Sequence, residues 1–262
     1  MKLTFLGTGG GRFITITQKL ATGGTIIEMD GEMIHLDPGP GALVRAKQYG
    51  VNLRNLTGIV ITHAHPDHYT DAEMVCIAMT RGVKQTRGFV IGNEHLFNGS
   101  SDGNFRPVLS GYILKSVKKH KIMTPGDVFD TGNLRIKAVE ARHGDPKALG
   151  YMIEGSKKIA LTGDGEYYEG QAENFKGCDY LMINCLRPHN LRWPEHMNSE
   201  TALKLISEVK PKLAILKDFG MKMIDGVAEK EAQWIEKETE IKTIVAKDGM
   251  KINDEPKLKI SL

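Results

Sequence analysis

Short apolar runs rich in β-branched residues alternate with turn signals along the chain, a pattern typical of many short strands. Two pairs of runs are each separated by an Asp-Gly dipeptide: Thr25–Met29 with Glu32–Leu36, and Ile241–Lys247 with Met250–Ile252. Because Asp-Gly favours the tight turn of a hairpin, we predict a β-hairpin at each place. The other predicted strands are Gly58–Thr62, Gly88–Gly92, Leu134–Val139, Lys158–Thr162, Tyr180–Asn184 and Leu213–Leu216.

Three helices are predicted from capping signals and apolar spacing. Thr70 and Glu73 have the spacing of a capping box, which opens a helix over Met74–Arg81. Ser199 is expected to cap a second helix, whose apolar residues recur every three or four positions. The third predicted helix is Val227–Glu238.

The order of these elements predicts the class of fold. Strands outnumber helices, and the helices fall between strands in both halves of the chain. We therefore expect a single α/β (α+β) domain over residues 1–262, with two sheets packed together and helices outside. Its two halves are expected to meet near residue 130.

Composition and charge exclude several classes of protein. The 35 Lys and Arg residues against 32 Asp and Glu give a net charge of +3, which argues against a general binder of nucleic acids or membranes. No apolar run approaches the roughly 18 residues of a membrane span, and the first residues turn glycine-rich too early for a signal peptide. We therefore expect a cytoplasmic protein. The cysteines are odd in number and lack CxxC spacing, so no disulfide framework or thiolate zinc site is expected.

The chemistry of the sequence is concentrated in one segment, His63-Ala64-His65-Pro66-Asp67-His68, which directly follows a predicted strand. Alternate residues of an extended chain point the same way, so His63 and His65 can bind one ion together. Asp67 and His68 follow a proline and can reach a second ion. Imidazole and carboxylate are ligands that zinc favours. The alternative, a polar loop of hydrogen-bonded histidines, leaves this crowding unexplained.

Two further candidates follow predicted strands, namely His143 and the Asp164 of Gly163-Asp164-Gly165. Taken alone, each is more simply a surface residue or a turn. Strand ends can converge on one edge of a sandwich, however, and the histidine cluster makes metal binding the better interpretation for both.

The spacing His63-x-His65-x-Asp67-His68, followed by His143 and Thr162-Gly163-Asp164, resembles the metallo-β-lactamase-fold hydrolases. Three more segments resemble the branch that holds the tRNA 3′-end endonuclease RNase Z and the small-molecule cyclic phosphodiesterases: Phe5-Leu6-Gly7-Thr8-Gly9, Leu36-Asp37-Pro38-Gly39 and Ala148-Leu149-Gly150-Tyr151. The resemblance implies a four-layer αββα sandwich with a metal site at one edge, and a homodimer.

The resemblance also implies a set of ligands for two divalent ions, zinc or manganese, with iron and magnesium as alternatives. Metal one would be held by His63, His65 and His143, metal two by Asp67 and His68, and Asp164 would bridge them. A metal-bound hydroxide would be the nucleophile. Asp67 and His196 are the candidate catalytic residues, and His196 would donate a proton to the leaving oxygen, unless it is an ordinary surface histidine. Asp37 would either orient a ligand histidine or bond its own turn.

One position departs from the pattern of this branch. Asp218 stands where the resemblance predicts a histidine ligand of metal two. A carboxylate still binds metal but shifts the preference towards manganese, iron or magnesium. Two alternatives are that Asp218 pairs with Lys217 at the surface, or that His189 takes its place.

The sequence favours a phosphodiesterase that acts on a small or cyclic phosphodiester. The alternatives are an RNA or DNA endonuclease of the RNase Z type, a thioester hydrolase of the glyoxalase II kind, and a metal-binding protein without hydrolysis. His196 before a helix favours the phosphodiesterase over the thioesterase. The long basic arm of RNase Z enzymes that act alone has no room between Gly150 and Gly163, which counts against pre-tRNA.

Four other segments are ambiguous. The basic residues Lys115, Lys118, Lys119, His120 and Lys121 lack interleaved aromatics and are interpreted as a solvated face. Residues 95–112 are loop-like and form either a lid or a surface loop. Arg187, Arg192 and Trp193 either contact substrate or are ordinary rim residues. The glycines before Arg12 do not complete a dinucleotide motif and are interpreted as a turn near the metal site.

Overall fold

Two β-sheets packed face to face form the centre of the computed structural model, which describes residues 1–254. The first sheet contains β1 (Lys2–Phe5), β2 (Thr25–Met29), β3 (Glu32–Leu36), β4 (Gly58–Val60), β5 (Arg87–Gly92) and β6 (Val117–Ile122). The second contains β7 (Val128–Asp130), β8 (Arg135–Glu140), β9 (Leu149–Glu154), β10 (Lys158–Leu161), β11 (Tyr180–Arg187), β12 (Met197–Asn198), β13 (Leu213–Lys217) and β14 (Thr243–Val245). A last strand, β15 (Lys251–Asn253), returns to the first sheet.

The strand order is β15-β1-β2-β3-β4-β5-β6 in the first sheet and β14-β13-β11-β10-β9-β8-β7 in the second, where β12 pairs with β11. The helices are α1 (Arg12–Thr17), α2 (Ala42–Gln48), α3 (Pro66–Tyr69), α4 (Ala72–Met79), α5 (Glu94–Asn98), α6 (Gly111–Leu114), α7 (Ser199–Val209) and α8 (Val227–Thr239). In this part of the chain, no helix is both long enough and apolar enough to cross a membrane.

Three apolar clusters account for the layering. One lies between the sheets and joins residues such as Ile34 of the first sheet to Ile153 of the second. A second packs α7 and α8 against the second sheet, and a third packs α2 and α4 against the first sheet. The layers are therefore helix, sheet, sheet and helix, which confirms the predicted αββα sandwich.

The two sheets are joined beside the histidine cluster by β9. Tyr151 is fully buried, and its hydroxyl donates a hydrogen bond to the Ile61 carbonyl over 3.0 Å. The Leu149 amide donates to the Thr62 carbonyl, also over 3.0 Å. These bonds fix the backbone that leads into His63.

The hairpin predicted at Asp30-Gly31 is confirmed, but the one predicted at Asp248-Gly249 is wrong. The strand before it pairs with β13 in the second sheet, and β15 pairs with β1 in the first, so the chain crosses between sheets. The Asp248 carboxylate accepts hydrogen bonds from the amides of Thr8 and Ala21, over 2.9 and 2.7 Å. These distant partners outweigh the local turn preference.

The predicted helices are present, but two caps differ from the expectation. Asp71, without a side-chain capping bond, precedes α4, and the Thr70 hydroxyl binds the Pro66 carbonyl instead. Asn198, not Ser199, caps α7 through a capping box with Thr201. Within the basic segment, Lys118, Lys119 and His120 are exposed on the edge strand β6, as predicted, whereas Lys121 is half-buried.

Candidate metal centre

The predicted site residues lie where strands of both sheets end. The histidine cluster of residues 63–68 follows β4, His143 follows β8, Asp164 follows β10 and Asp218 follows β13. His196 directly precedes β12. The two sheets therefore contribute side chains to one shared edge of the sandwich.

Six of these residues come together in three overlapping groups. The ligand atoms of each group lie within 4.8 Å of one another, and the groups are His63-His65-His143, His63-His68-Asp164 and His143-Asp164-His196. Because His63, His143 and Asp164 each belong to two groups, the groups form one continuous centre.

Three imidazoles converge at one end of this centre. His65 Nδ1 lies 3.1 Å from His63 Nε2 and 2.9 Å from His143 Nε2. The second ring nitrogens of two of these histidines are held from outside, since His143 Nδ1 lies 2.9 Å from the Glu195 carbonyl and His63 Nδ1 lies 3.0 Å from the Thr62 hydroxyl. Outer bonds of this kind aim the inner nitrogens of metal-binding histidines.

Asp164 lies in the middle of the centre. Its Oδ2 is 3.4 Å from His68 Nε2, 3.8 Å from His196 Nδ1 and 3.9 Å from His143 Nε2. Asp164 therefore lies among histidines that were predicted for both ions, and its role as the bridging ligand stays a prediction.

His68 is oriented by Asp37. Its Nδ1 lies 3.1 Å from Asp37 Oδ2, which leaves Nε2 to face Asp164. Asp37 also accepts hydrogen bonds from the Thr62 amide and hydroxyl, over 2.7 and 3.0 Å. The structure therefore favours the interpretation in which Asp37 orients a histidine.

Asp67 and Asp218 lie beside these groups rather than within them. Asp67 Oδ2 accepts a hydrogen bond from the Gly11 amide over 3.0 Å and lies 3.9 Å from His68 Nε2. Asp218 packs against Gly10 so closely that a Cβ at that position would lie 1.8 Å from Asp218 Oδ2. The glycine-rich turn is thus near the centre, as predicted.

The structure bears out only part of one alternative for Asp218. Lys217 Nζ lies 3.9 Å from Asp218 Oδ1, but each residue is only 5% exposed, so the pair is buried rather than at the surface. His189 Nδ1 lies 2.9 Å from Glu231 Oε1 and is engaged there. Among the residues considered for this position, Asp218 alone is buried at the centre.

Burial and neighbouring charges raise the pKa values of some side chains in the centre and lower those of others. Burial disfavours the charged form of His68, but Asp164 and Asp67 outweigh it and raise the pKa of His68 well above its usual value. Burial, reinforced by the Asp164 charge, raises the pKa of Asp218 well above its usual value. Burial lowers the pKa of three other histidines, His63, His65 and His196.

Comparison with known protein families agrees with this geometry. A family model described as the β-lactamase superfamily domain matches residues 32–217, more than half of the chain. The chain belongs to this superfamily. An uncharacterized protein of Methanocaldococcus jannaschii, MJ1374, is 36% identical over 255 residues, which cover 96% of this chain and 94% of that protein. Ribonuclease Z of Methanopyrus kandleri is 24% identical over 292 residues, which cover 95% and 96%.

Solved structures agree on the fold. The metallo-β-lactamase fold protein YhfI of Bacillus subtilis matches 96% of this chain and 98% of its own, with a TM-score of 0.78 and 19% identity. The chain is therefore a metallo-β-lactamase-fold hydrolase near the RNase Z branch, as the sequence motifs predicted.

The residues of this hydrolase fit the divalent ions that its fold implies. His68 Nε2 and Asp218 Oδ2 are buried and have no hydrogen-bond partner among residues 1–254. A buried polar atom without a partner is costly, and both atoms belong to groups that bind metal. The histidines with lowered pKa values are neutral near pH 7, which is the form that binds metal.

Metal binding to this hydrolase is expected to release protons and to strengthen as the pH rises through the neutral range. The pKa of His68 is raised well above its usual value, so this imidazole must lose a proton before its Nε2 binds an ion. Calorimetric titration of chelator-treated protein with Mn²⁺, in two buffers of different ionisation enthalpy, counts the protons. His68→Gln should release fewer protons than wild type, and equal heats in both buffers would contradict the prediction.

A cleft of about 600 Å³ opens over the centre. Arg12 and Phe13 line one side of it, and Arg187 and Trp193 are also among its lining residues. The Arg187 guanidinium carbon lies 4.9 Å from the Trp193 ring centroid. Arg192, which the sequence grouped with them, instead pairs with Glu200 at the surface.

The segment over residues 95–112 borders the centre and begins within helix α5. Phe105 stacks on His95, with ring centroids 4.6 Å apart, and lies 6.0 Å from the His65 ring. The contact places the segment beside a predicted ligand, and its role as a lid stays a prediction.

Sequence reasoning missed Asp145 and Asn184 and placed Lys217 at the surface, although all three residues are buried and support the centre. Asp145 is fully buried and accepts hydrogen bonds from the Ala64 amide over 2.9 Å and from His95 Nδ1 over 2.7 Å. The sequence offered one signal for Asp145, which is that it lies two residues after the predicted ligand His143. Asn184 and Lys217 likewise lie in or at the end of a strand that leads to the site.

Proposed function

We propose that this hydrolase cleaves a small or cyclic phosphodiester with the help of two divalent ions. The observation that carries the proposal is the position of His196, whose Nδ1 lies 3.8 Å from Asp164 Oδ2 inside the cleft. The leaving group of a thioester is a thiolate, which is stable without a proton. The alkoxide that leaves a phosphodiester needs a proton. An imidazole beside the centre supports the reaction that needs a general acid.

Each residue of the metal centre has a distinct role in this proposal. His63, His65 and His143 would hold one ion, Asp67, His68 and Asp218 the other, and Asp164 would contact both. The ions, when bound, lower the pKa of water and stabilise charge on the phosphoryl oxygens. His196 would give a proton from its imidazole to the leaving oxygen. A phosphodiester anion in the cleft favours the charged imidazole, which opposes the burial that lowers the pKa of His196.

Cleavage of pre-tRNA is the less favoured alternative. Only the three residues between β9 and β10 are available for an arm at the place where it is expected. Arg187 and Trp193 in the cleft suit a small substrate with an anionic and a flat part. The preferred metal, the cytoplasmic location, the single domain and the homodimer all stay predictions.

The decisive experiment is hydrolysis of bis(p-nitrophenyl) phosphate by chelator-treated protein that is reloaded separately with Zn²⁺, Mn²⁺ and Mg²⁺. We expect turnover with at least one ion, and a preference for Mn²⁺ if Asp218 is a ligand. His65→Ala, prepared in the same way, is the inactive control. A thioester and a tRNA-like hairpin are assayed in parallel. Turnover of either one without turnover of the phosphodiester would contradict the proposal.

The role of His196 predicts a dependence on the leaving group. His196→Ala should lower kcat by about a hundredfold or more for an alkyl leaving group. It should have much less effect for p-nitrophenolate, which leaves without a proton. The measurement is kcat for a matched pair of esters. An equal loss on both would indicate that His196 holds metal or structure rather than donating a proton.

A further inference from the structure

Lys217 is a buried cation at the carboxyl end of β13. It is 5% exposed, and lysine is almost never so buried without partners. Its Nζ donates a hydrogen bond to Asn184 Oδ1 over 3.0 Å and lies 3.9 Å from Asp218 Oδ1. Among the described residues, Asp218 is the only carboxylate within ion-pair distance of Lys217. The ammonium therefore belongs to the metal centre rather than to the surface.

The contact with Lys217 decides which way the Asn184 side chain points. An ammonium can only donate hydrogen bonds, so the amide oxygen of Asn184 must face Lys217. The amide nitrogen then faces Asp164, and it donates to Asp164 Oδ1 over 2.6 Å. With Oδ1 engaged in this way, Oδ2 is the oxygen directed towards the histidines.

Lys217 also balances charge. Asp164 and Asp218 are both buried, and two negative charges in one buried site repel each other unless a positive charge lies beside them. A carboxylate at position 218 adds one negative charge relative to a neutral imidazole, and the ammonium of Lys217 adds one positive charge. Together the two residues carry the same net charge as a single neutral ligand.

We propose that Lys217 is a positioning residue that aims Asp164 through Asn184 and balances the charge of Asp218, so that a carboxylate can serve as a ligand there. The inference rests on the proposed metal centre and extends it to two residues that touch neither ion nor substrate. It requires positions 217 and 218 to act as a unit, because each suits the centre only in the presence of the other.

The test is a double-mutant cycle of wild type, Lys217→Met, Asp218→His and the double variant. Calorimetry with Mn²⁺ and with Zn²⁺ measures the affinity of each ion for chelator-treated protein, and thermal melting measures stability before the metal is added. In Asp218→His the ammonium faces a neutral ligand without its counter-charge, so the second ion should bind at least about tenfold more weakly. Lys217→Met should lower the melting temperature, since Asp218 loses its counter-ion.

The double variant should regain both properties, with the second ion bound to within about threefold of wild type. Lys212→Met is the matched control, because Lys212 pairs with Asp179 at the surface. Combined with Asp218→His, Lys212→Met should restore nothing. If Lys217→Met does not fold, the comparison of Asp218→His with the double variant still shows whether removal of Lys217 restores binding of the second ion.

Additive effects of the two substitutions would overturn the role of Lys217 while leaving the hydrolase proposal intact. Wild-type protein that binds neither ion would overturn both. Asn184→Leu supplies a second check of the route to Asp164, because it keeps the charge of Lys217 and removes the connecting amide. It should weaken binding of both ions, and unchanged affinities would contradict the positioning of Asp164 through Asn184.

Discussion

Asp164→Asn is expected to lower kcat/KM by at least about a thousandfold, because loss of outer partners of metal ligands already lowers affinity 10- to 100-fold. The substitution keeps the size of the side chain but removes the negative charge that faces three histidines over 3.4 to 3.9 Å. Elemental analysis should find fewer ions per chain, and the phosphodiester assay gives the rate.

A spectroscopic measurement separates loss of charge from general damage to the fold. Asp164 raises the pKa of His68, so in chelator-treated Asp164→Asn the pKa of His68 should fall. An NMR titration of the histidine ring protons follows this change. Asp179→Asn, which removes a carboxylate distant from the centre, should leave the titration of His68 as it is. Full activity and two bound ions in Asp164→Asn would contradict the bridging role.

Asp145→Ala should lower the free energy of unfolding by about 3 kcal/mol or more, because it leaves several buried donors without an acceptor. These donors include the backbone amide of Ala64, the side-chain amide of Asn93 and His95 Nδ1, each 2.7 to 2.9 Å from an Asp145 oxygen. Ala64 lies between His63 and His65, so its amide fixes the backbone that carries both. The variant should therefore also bind metal more weakly.

Denaturant unfolding of chelator-treated protein measures the stability of Asp145→Ala without the contribution of bound ions. Asp127→Ala is a matched control, because Asp127 accepts bonds from the Thr124 amide and hydroxyl at an exposed turn. That variant should lose no more than about 1 kcal/mol. If the two variants proved equally stable, Asp145 would not be the anchor of the histidine segment.

The stability that Asp145 supplies should depend on pH. Burial opposes its charge, but hydrogen bonds from the Ala64 and Lys147 amides outweigh burial and lower its pKa. A carboxyl whose pKa is lowered by folding stabilises the protein above its unfolded pKa, and this contribution is lost as the pH falls through the folded value. The difference in stability between wild type and Asp145→Ala should therefore shrink in acid.

The sequence predicted the parts of the centre that are local or that follow strands. Residues 63–68 form a dense cluster, and His143 and Asp164 each follow an apolar run, so all could be found without knowledge of the fold. Asp145 and the buried position of Lys217 could not be found in this way. Their partners lie 81 and 33 residues away along the chain, and only the packing of the two sheets brings them together.

The same distinction explains the errors in the predicted elements. At Asp30-Gly31 the local turn preference and the sheet agree, and the hairpin forms. At Asp248-Gly249 the carboxylate accepts hydrogen bonds from the amides of Thr8 and Ala21, more than 200 residues away. The strand that follows, β15, pairs with β1 in the first sheet. At Ser199 the prediction was displaced by a single residue, because Asn198 forms the capping box with Thr201.

The return of β15 to the first sheet sets the order in which a newly made chain can complete its active site. Asp248 holds the loop that carries Gly10 and Gly11, and those glycines pack against Asp218 and Asp67. On the ribosome, the first sheet and its glycine loop therefore wait for residues that are made after all strands of the second sheet. Metal loading should accordingly follow the synthesis of Asp248, and a nascent chain arrested before Asp248 should bind metal more weakly than the longer chain.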